Sequence, residues 1–305
     1  MHFYLQNIQT NLIEMKIGLF LMTKKGFLVL EKLLKSSYKD TISFVCIGRD
    51  NSIQDDYSTE IESICEINSI SYLSRNQLEE NTITSDFNIA ISWRWILDVS
   101  NLIVLHDSIL PKYRGFAPLV NMLINGENKL GVTALMASNE YDKGDILFQE
   151  KKNVSYPLKI AEAIEVVSEI YCNISLKIFE AILNNQIFLT KQIESDATYS
   201  LWLENDDYFI DWNWDAEKIK RKIDACGFPY LGAKTHIENQ VIIIHDAEVV
   251  KDVEIENRVV GKNIFLMNGY PVIVCREGLL KVTNAVYDNN NDSIFPLKKF
   301  RIKLS

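Results

Sequence analysis

The sequence has no run of about 18 apolar residues, the length a bilayer-spanning helix needs, so no membrane span is expected. Its start, MHFYLQNIQTNLIE, lacks the basic beginning and apolar centre of a signal peptide. The five cysteines (Cys46, Cys65, Cys172, Cys226 and Cys275) are scattered and form no CxxC pair. That argues against a disulfide framework or a zinc site, and for buried thiols in a reducing, cytoplasmic compartment. Positive charge is scarce as well. There are 32 Lys and Arg against 41 Asp and Glu, a net charge of −9, which is the wrong sign for a broad polyanion-binding surface. No internal repeat is visible, and the one biased tract, DNNND at 288–292, reads as a turn.

What is present is an ordinary globular balance, 47% hydrophobic and 24% charged, over 305 residues. Single cores stop growing at roughly 250 residues, so two domains are expected. The apolar runs at 17–22, 42–47, 87–92 and 102–105 are of strand length and carry almost no polar residues. Such runs suit strands buried on both faces of a parallel sheet. Helical spacing lies between or after them, at 27–34, 60–67, 118–124 and 157–183, with Pro157 placed for a first turn and Asn125-Gly126 for a stop. Residues 131–136 and 145–150 add two more strands. These predict an α/β fold: a Rossmann-like, mostly parallel sheet with helices on both faces, over residues 15–190. Residues 1–14 read as an extension ahead of Met15. Residues 191–305 hold one helix within 210–225 and short strands at 241–244, 263–267, 272–274 and 280–282, a small, mainly β (OB-like) domain.

The stretch from Leu105 to Glu150 carries the chemistry: LHDSILPKYRGFAPLVNMLINGENKLGVTALMASNEYDKGDILFQE. His106 ends a buried strand, and open α/β sheets bind ligands at the carboxyl ends of their strands. Imidazoles titrate near neutrality, as general acid–base work requires. A loop, a helix and a strand separate His106 from Asp142, enough chain to return to the same edge of the sheet. A carboxylate beside an imidazole orients the ring and favours its protonated form. The bland readings are a histidine that caps a loop and an aspartate that serves a turn before Gly144.

HDSILPKYRG, followed by Ala-Pro, Asn-Gly, Gly-Val-Thr and Asp-Lys-Gly-Asp-Ile-Leu, resembles the formyltetrahydrofolate-dependent formyltransferases. That group includes the methionyl-tRNA, glycinamide ribonucleotide and sugar-nucleotide N-formyltransferases. The likeness extends over about residues 15–301: Ser200-Leu-Trp, Asp207-Tyr, Ile210-Asp-Trp212 and Pro229-Tyr-Leu-Gly-Ala233 look like the carboxyl-terminal domain of the tRNA and aminoarabinose branches. The resemblance implies that an unprotonated amine attacks the formyl carbon of N10-formyltetrahydrofolate, with no metal, and that a tetrahedral oxyanion forms. His106 and Asp142 match the family's histidine and aspartate. The family asparagine two residues before the histidine is Val104 here, which has no donor, and one lost oxyanion donor typically costs on the order of a hundred- to a thousand-fold in rate. Ser92, Asn101 or a backbone amide is a candidate replacement, or His106 acts alone, or the protein binds without turnover.

By the same resemblance, Trp93 faces the pterin pocket, and Asn139, Glu140 and Tyr141 with Asp142 form the folate-contacting loop. The expected substrate set is Lys24 and Lys25 on a turn at 23–26, together with Ser108, Lys112, Tyr113, Arg114 and Phe116 after His106. Each has a plainer alternative: solvated lysines, an arginine that pins its loop, a core tryptophan. Trp202, Tyr208, Trp212, Trp214 and Tyr230 read first as a small-domain core and second as a surface for stacking on a base. The leading reading is formyl transfer to a nucleoside-diphosphate amino sugar for surface polysaccharide. The acidic balance disfavours nucleic acid and so the tRNA branch, and a non-catalytic binding module is the third reading. A homodimer stays open.

Overall fold

The structure, a computed structural model, describes residues 15–51, 53–78 and 84–305, so the expected extension over 1–14 lies outside the described residues. Ile17–Leu21 (β1) has no polar side chain and is buried at every position, as a central strand must be. It is followed by Thr23–Leu34 (α1), Ile42–Ile47 (β2), Ser58–Ile67 (α2), Tyr72–Ser74 (β3), Phe87–Ile91 (β4) and Leu102–His106 (β5). Then come the two-residue Arg114–Gly115 (β6), Pro118–Asn125 (α3), Lys129–Met136 (β7), Ile146–Asn153 (β8) and Ile160–Leu183 (α4). Seven of these strands form one sheet in the order β3-β2-β1-β4-β5-β7-β8. The first five run parallel, while β7 and β8 run antiparallel at the far edge. This is the mostly parallel sheet that the buried runs predict.

Alternate residues of the strands face opposite sides. Leu19, Leu21, Val45, Ile89, Ile91, Ile103 and Leu105 pack in one core with side chains of α1, α2 and α4. Phe20, Phe44, Cys46, Ala90 and Leu102 form the opposite layer, where Val104 meets Trp93, Leu97 and Val99. Among the described residues, Trp93, Leu97 and Val99 of the 93–99 loop pack against that second face together with Leu73 and Leu78. The loop sequence, Trp-Arg-Trp-Ile-Leu-Asp-Val, has enough apolar bulk to close it.

Tyr199–Ser200 (β9) and Ala216–Cys226 (α5) lead into Ala233–Ile237 (β10), Gln240–Val250 (β11), Asn263–Met267 (β12), Tyr270–Val274 (β13) and Leu279–Tyr287 (β14). The last five make an antiparallel sheet in the order β10-β11-β14-β13-β12. Helix α3 packs on α5, so the core is continuous from the first sheet into the second.

Two local expectations change, and two strands are added. Residues 23–26 are the first turn of α1 and not a separate turn; Gly26 lets that turn close on β1, since a Cβ there would lie 3.1 Å from the Leu21 Cβ. Helix α4 begins at Ile160, not at Pro157, because the Glu162 carboxylate accepts the Lys159 amide at 2.9 Å and sets the helix start. Strands β3 and β10 carry no buried run: the first is three residues at the sheet edge, and the second alternates polar with small or apolar residues.

Candidate active site

A cavity of about 830 Å³ lies over the carboxyl ends of β1, β4 and β5. His106 and Asp142 meet there, with His106 Nδ1 3.4 Å from Asp142 Oδ1. The other ring nitrogen fixes the tautomer. Nε2 lies 2.7 Å from the Tyr113 carbonyl oxygen, which can only accept, so Nε2 carries the hydrogen. Nδ1 is then the ring nitrogen left without a hydrogen, and Asp142 Oδ1 is its neighbour. His106 is 8% exposed, so the pair is shielded from bulk water.

The Asp142 turn is braced from two sides. Its Oδ2 accepts the Gly115 amide at 2.8 Å, and its backbone carbonyl accepts Gln192 Nε2 at 2.7 Å. Asp142 has φ +55°, a left-handed conformation that aspartate tolerates better than most residues. Gly115 has φ +99°, and a Cβ there would come within 2.5 Å of the Ser200 carbonyl oxygen, because β6 pairs in parallel with β9 at this point. The Arg-Gly sequence therefore lets two chain segments meet directly behind the carboxylate.

Arg114, expected at a substrate anion, is 1% exposed and lies outside the cavity lining. Its guanidinium donates to both Glu194 carboxylate oxygens, at 2.9 and 2.8 Å, and to Gln192 Oε1 at 2.9 Å. Gln192 in turn holds the Asp142 and Gly144 carbonyls. Arg114 is thus a positioning residue acting through Gln192. A lysine at 114 can reach Glu194 or Gln192 but not fork to both. Arg114→Lys is expected to lower kcat about ten- to a hundred-fold through a displaced Asp142 turn, with donor affinity preserved. Steady-state kinetics beside a donor-binding titration check this, and an unchanged kcat would count against the brace.

The rest of the 108–113 loop also turns inward. The Ser108 hydroxyl donates to the Lys112 carbonyl at 2.6 Å, and the Tyr113 hydroxyl to Glu127 at 2.7 Å. The Lys112 side chain is exposed, and Lys24 pairs with Glu165 on α4. None of these four lines the cavity. Lys25 and Phe116 do, and so do Trp93, Asn139, Glu140, Tyr141 and Asp142. Trp93 is also core, edge-on to Phe20 at 5.3 Å and to Trp95 at 5.2 Å. The aromatic group of the second domain divides. Trp202, Tyr208 and Tyr230 line the cavity, while Trp212 is buried and donates to Thr235 at 3.0 Å. Burial pushes the Tyr208 phenol up to about 12 and the Tyr230 phenol above its ordinary value, so both remain neutral.

Sequence reasoning did not pair Lys25 with Asp107, nor place Tyr171 beside them. Lys25 Nζ lies 2.5 Å from Asp107 Oδ2 and 5.4 Å from the centre of the Tyr171 ring, against the cavity. Burial raises the Asp107 carboxyl, but the attraction and hydrogen bond of Lys25 outweigh it and hold the group below the ordinary carboxylate range. A depressed carboxyl stabilises the fold above its unfolded pKa and ceases to as pH falls through its folded value. Asp107→Asn, which leaves Lys25 unpaired, is therefore expected to cost about 2 kcal/mol at neutral pH, less than a fully buried pair would. The difference from wild type should shrink below about pH 4, where carboxylates protonate. Urea unfolding at pH 7 and in acid reads both; a difference that persists in acid would mean that charge is not its source. The two residues are 82 positions apart, and no spacing rule joins them.

An imidazole–carboxylate pair, set at the strand ends over a cavity of this size, has the parts that proton transfer in an α/β enzyme fold requires. Two family models narrow that class. Formyl transferase matches residues 83–165, and the formyl transferase C-terminal domain matches residues 203–291, together more than half of the chain. The chain belongs to the formyltetrahydrofolate-dependent formyl transferases. The methionyl-tRNA formyltransferase of Fervidobacterium nodosum is 30% identical over 202 residues, 65% of this chain and 64% of that enzyme, so the chain aligns with just under two thirds of that relative's length. Among solved structures, the N-formyltransferase from Helicobacter canadensis, in complex with folinic acid and dTDP-3-aminofucose, is similar with a TM-score of 0.64 at 18% identity, over 88% of this chain and 99% of that one. Methionyl-tRNA formyltransferase from Clostridium thermocellum has a TM-score of 0.53 at 18% identity, over 77% and 94% of the two chains.

Proposed function

We propose that the protein transfers a formyl group from N10-formyltetrahydrofolate to the primary amine of a nucleoside-diphosphate amino sugar. The observation that carries the transfer chemistry is the His106–Asp142 pair, with Nδ1 turned to the carboxylate and Nε2 anchored on Tyr113. The amine nitrogen attacks the formyl carbon, a C–N bond forms, and the carbonyl electron pair moves onto oxygen. His106 Nδ1 takes the proton that the attacking nitrogen loses, and Asp142 stabilises the resulting imidazolium. The tetrahedral species collapses, the bond from carbon to the folate nitrogen breaks, and that nitrogen takes up a proton, which His106 is placed to return.

The cavity suits two ligands side by side. Trp93 and the 137–142 loop form one wall, and Phe116 and Trp202 form another, with ring centres 5.9 Å apart. The first wall is assigned to the pterin, in keeping with the folate ligand of the Helicobacter canadensis enzyme, and the second to the acceptor. A sugar nucleotide is favoured over tRNA by charge. The chain carries a net −9, and Glu204, Asp206, Asp207, Asp211 and Asp215 crowd the start of the second domain beside Trp202. A tRNA-binding face needs cations there. The tRNA reading keeps its own support, since the aligned sequence relatives are methionyl-tRNA formyltransferases.

A turnover assay with N10-formyltetrahydrofolate and a panel of amino-sugar nucleotides, beside charged initiator tRNA, separates the readings. Formylation of a sugar amine is expected. Formylation of tRNA alone overturns the acceptor assignment, and donor binding with no transfer to either overturns the enzymatic reading.

A further inference from the structure

Formyl transfer needs a donor for the formyl oxygen as it becomes an oxyanion. The strand that carries His106 offers none: Val104, two residues earlier, lines the cavity with an apolar side chain. We propose that the Ser92 hydroxyl donates to the formyl oxygen and is the catalytic residue that supplies this function. The inference rests on the formyl-transfer reading and adds to it a residue outside the His106–Asp142 pair.

Three observations place it. The parallel register of β4 and β5 sets Ala90 opposite Val104 and Ile91 opposite Leu105, so Ser92, the first residue past β4, stands at the same end of the sheet as His106, the last of β5. Ser92 has φ +54°, which ends β4 and turns the chain into the cavity wall. Its Oγ has no hydrogen-bond partner among the described residues and is turned from the cavity, so a rotation about the Cα–Cβ bond between staggered rotamers brings it to a ligand. A buried hydroxyl without a partner is unfavourable, and an acceptor brought by a ligand removes that cost.

The alternatives are occupied or misplaced. Asn101 lies at the amino end of β5, and its amide donates to the Asp86 carbonyl at 2.9 Å. Lys25 is paired with Asp107, beside Tyr171 of α4, whose helix packs on the opposite face of the sheet from Val104. Among the described residues, Thr23 Oγ1 and Trp93 Nε1 are the other unpartnered donors of cavity-lining residues; Thr23 follows β1, which β4 separates from β5, and the Trp93 ring is wedged between Phe20 and Trp95 in the layer that Val104 joins.

The test uses a stable deaza analogue of the formyl donor with an isotope-labelled formyl carbonyl, so that binding is read without turnover. In the wild-type complex the labelled carbonyl stretch is expected at lower frequency than in Ser92→Ala, with the analogue's Kd within about threefold, since one neutral hydrogen bond contributes little net affinity. Equal stretches in the two proteins overturn the proposal whether or not any amine is formylated. So does a stretch that responds to Trp93→Phe and not to Ser92→Ala. With an acceptor in hand, Ser92→Ala is expected to lower kcat about a hundred-fold. Val104→Asn in that background, which places an amide donor on the same wall, should recover at least tenfold. A Ser92→Ala enzyme within threefold of wild type overturns the role. Absence of transfer by the wild type, with the carbonyl shift present, would instead refute the function proposed above and leave the Ser92 contact standing.

Discussion

Replacing His106 by asparagine is expected to lower formyl transfer about a thousand-fold while folding and donor binding are preserved, the range that loss of a general base produces. Both halves follow from the ring's two contacts. The Nε2–H···O bond to Tyr113 ties down the loop after β5, and an asparagine amide, which stands where Nδ1 does, is too short to replace it, so one hydrogen bond worth about 1 kcal/mol is lost. The strand beneath it, with Ile103 and Leu105 buried, is untouched, and the fold survives. What disappears is the lone pair on Nδ1. An amide nitrogen takes up no proton at neutral pH, and the amide oxygen is far too weak a base to take one from an attacking amine. Single-turnover rates, a thermal melt and a donor titration on the same preparation separate the effects. If transfer fell less than tenfold, the base would lie elsewhere; if the melt collapsed, the Tyr113 anchor would be the main role of His106.

The sequence made the sheet legible because parallel strands buried on both faces leave apolar runs, unbroken in β1 and interrupted by Asn88 alone in β4. His106 and Asp142 were legible for a related reason. His106 stands where a buried run meets a turn; Asp142 has chain enough to reach it, although β7 runs antiparallel to β5 and ends beside Ile103, so that the loop over 137–142 carries the carboxylate back to the histidine. Contacts across that edge were not legible. Arg114 reads as an anion ligand in any sequence. Its burial against Glu194 depends on the chain coming back after α4 to pair β9 with β6, and β9 is only two residues long. Likewise, Lys25 reads as a substrate contact or a solvated lysine until the pairing of β1 with β4 and of β4 with β5 brings Asp107 to it. The aromatic residues of the second domain divide for reasons of path and not of type: Trp212 enters the core, whereas Trp202, ten residues earlier, remains 57% exposed at the cavity mouth. Composition favours burial for both, and only the fold distinguishes them.

Asp142 gives the sharper test, because its two obvious substitutions should rank in opposite orders for activity and stability. Gly115 N–H reaches Oδ2 at 2.8 Å, and Oδ1 faces His106 Nδ1 at 3.4 Å. In Asp142→Asn the backbone donor at Gly115 must meet the amide oxygen, which turns the NH₂ toward His106. That group donates into the Nδ1 lone pair, the pair that must accept the proton of the amine. The base is then both occupied and without its counter-charge, and a loss on the order of a thousand-fold is expected. Asp142→Ala removes the carboxylate but leaves Nδ1 free, so its loss should be nearer a hundred-fold. Stability runs the other way. Asparagine is comfortable at φ +55° and keeps the bond to Gly115, whereas alanine there has left-handed strain, about 1 kcal/mol or more, and leaves the Gly115 amide without its partner. The asparagine variant should therefore be the more stable and the less active of the two. Kinetics and urea unfolding on the pair decide it. An asparagine variant that outperforms alanine in turnover would mean that Asp142 acts through Gly115 on the shape of the site, and not on the proton at His106.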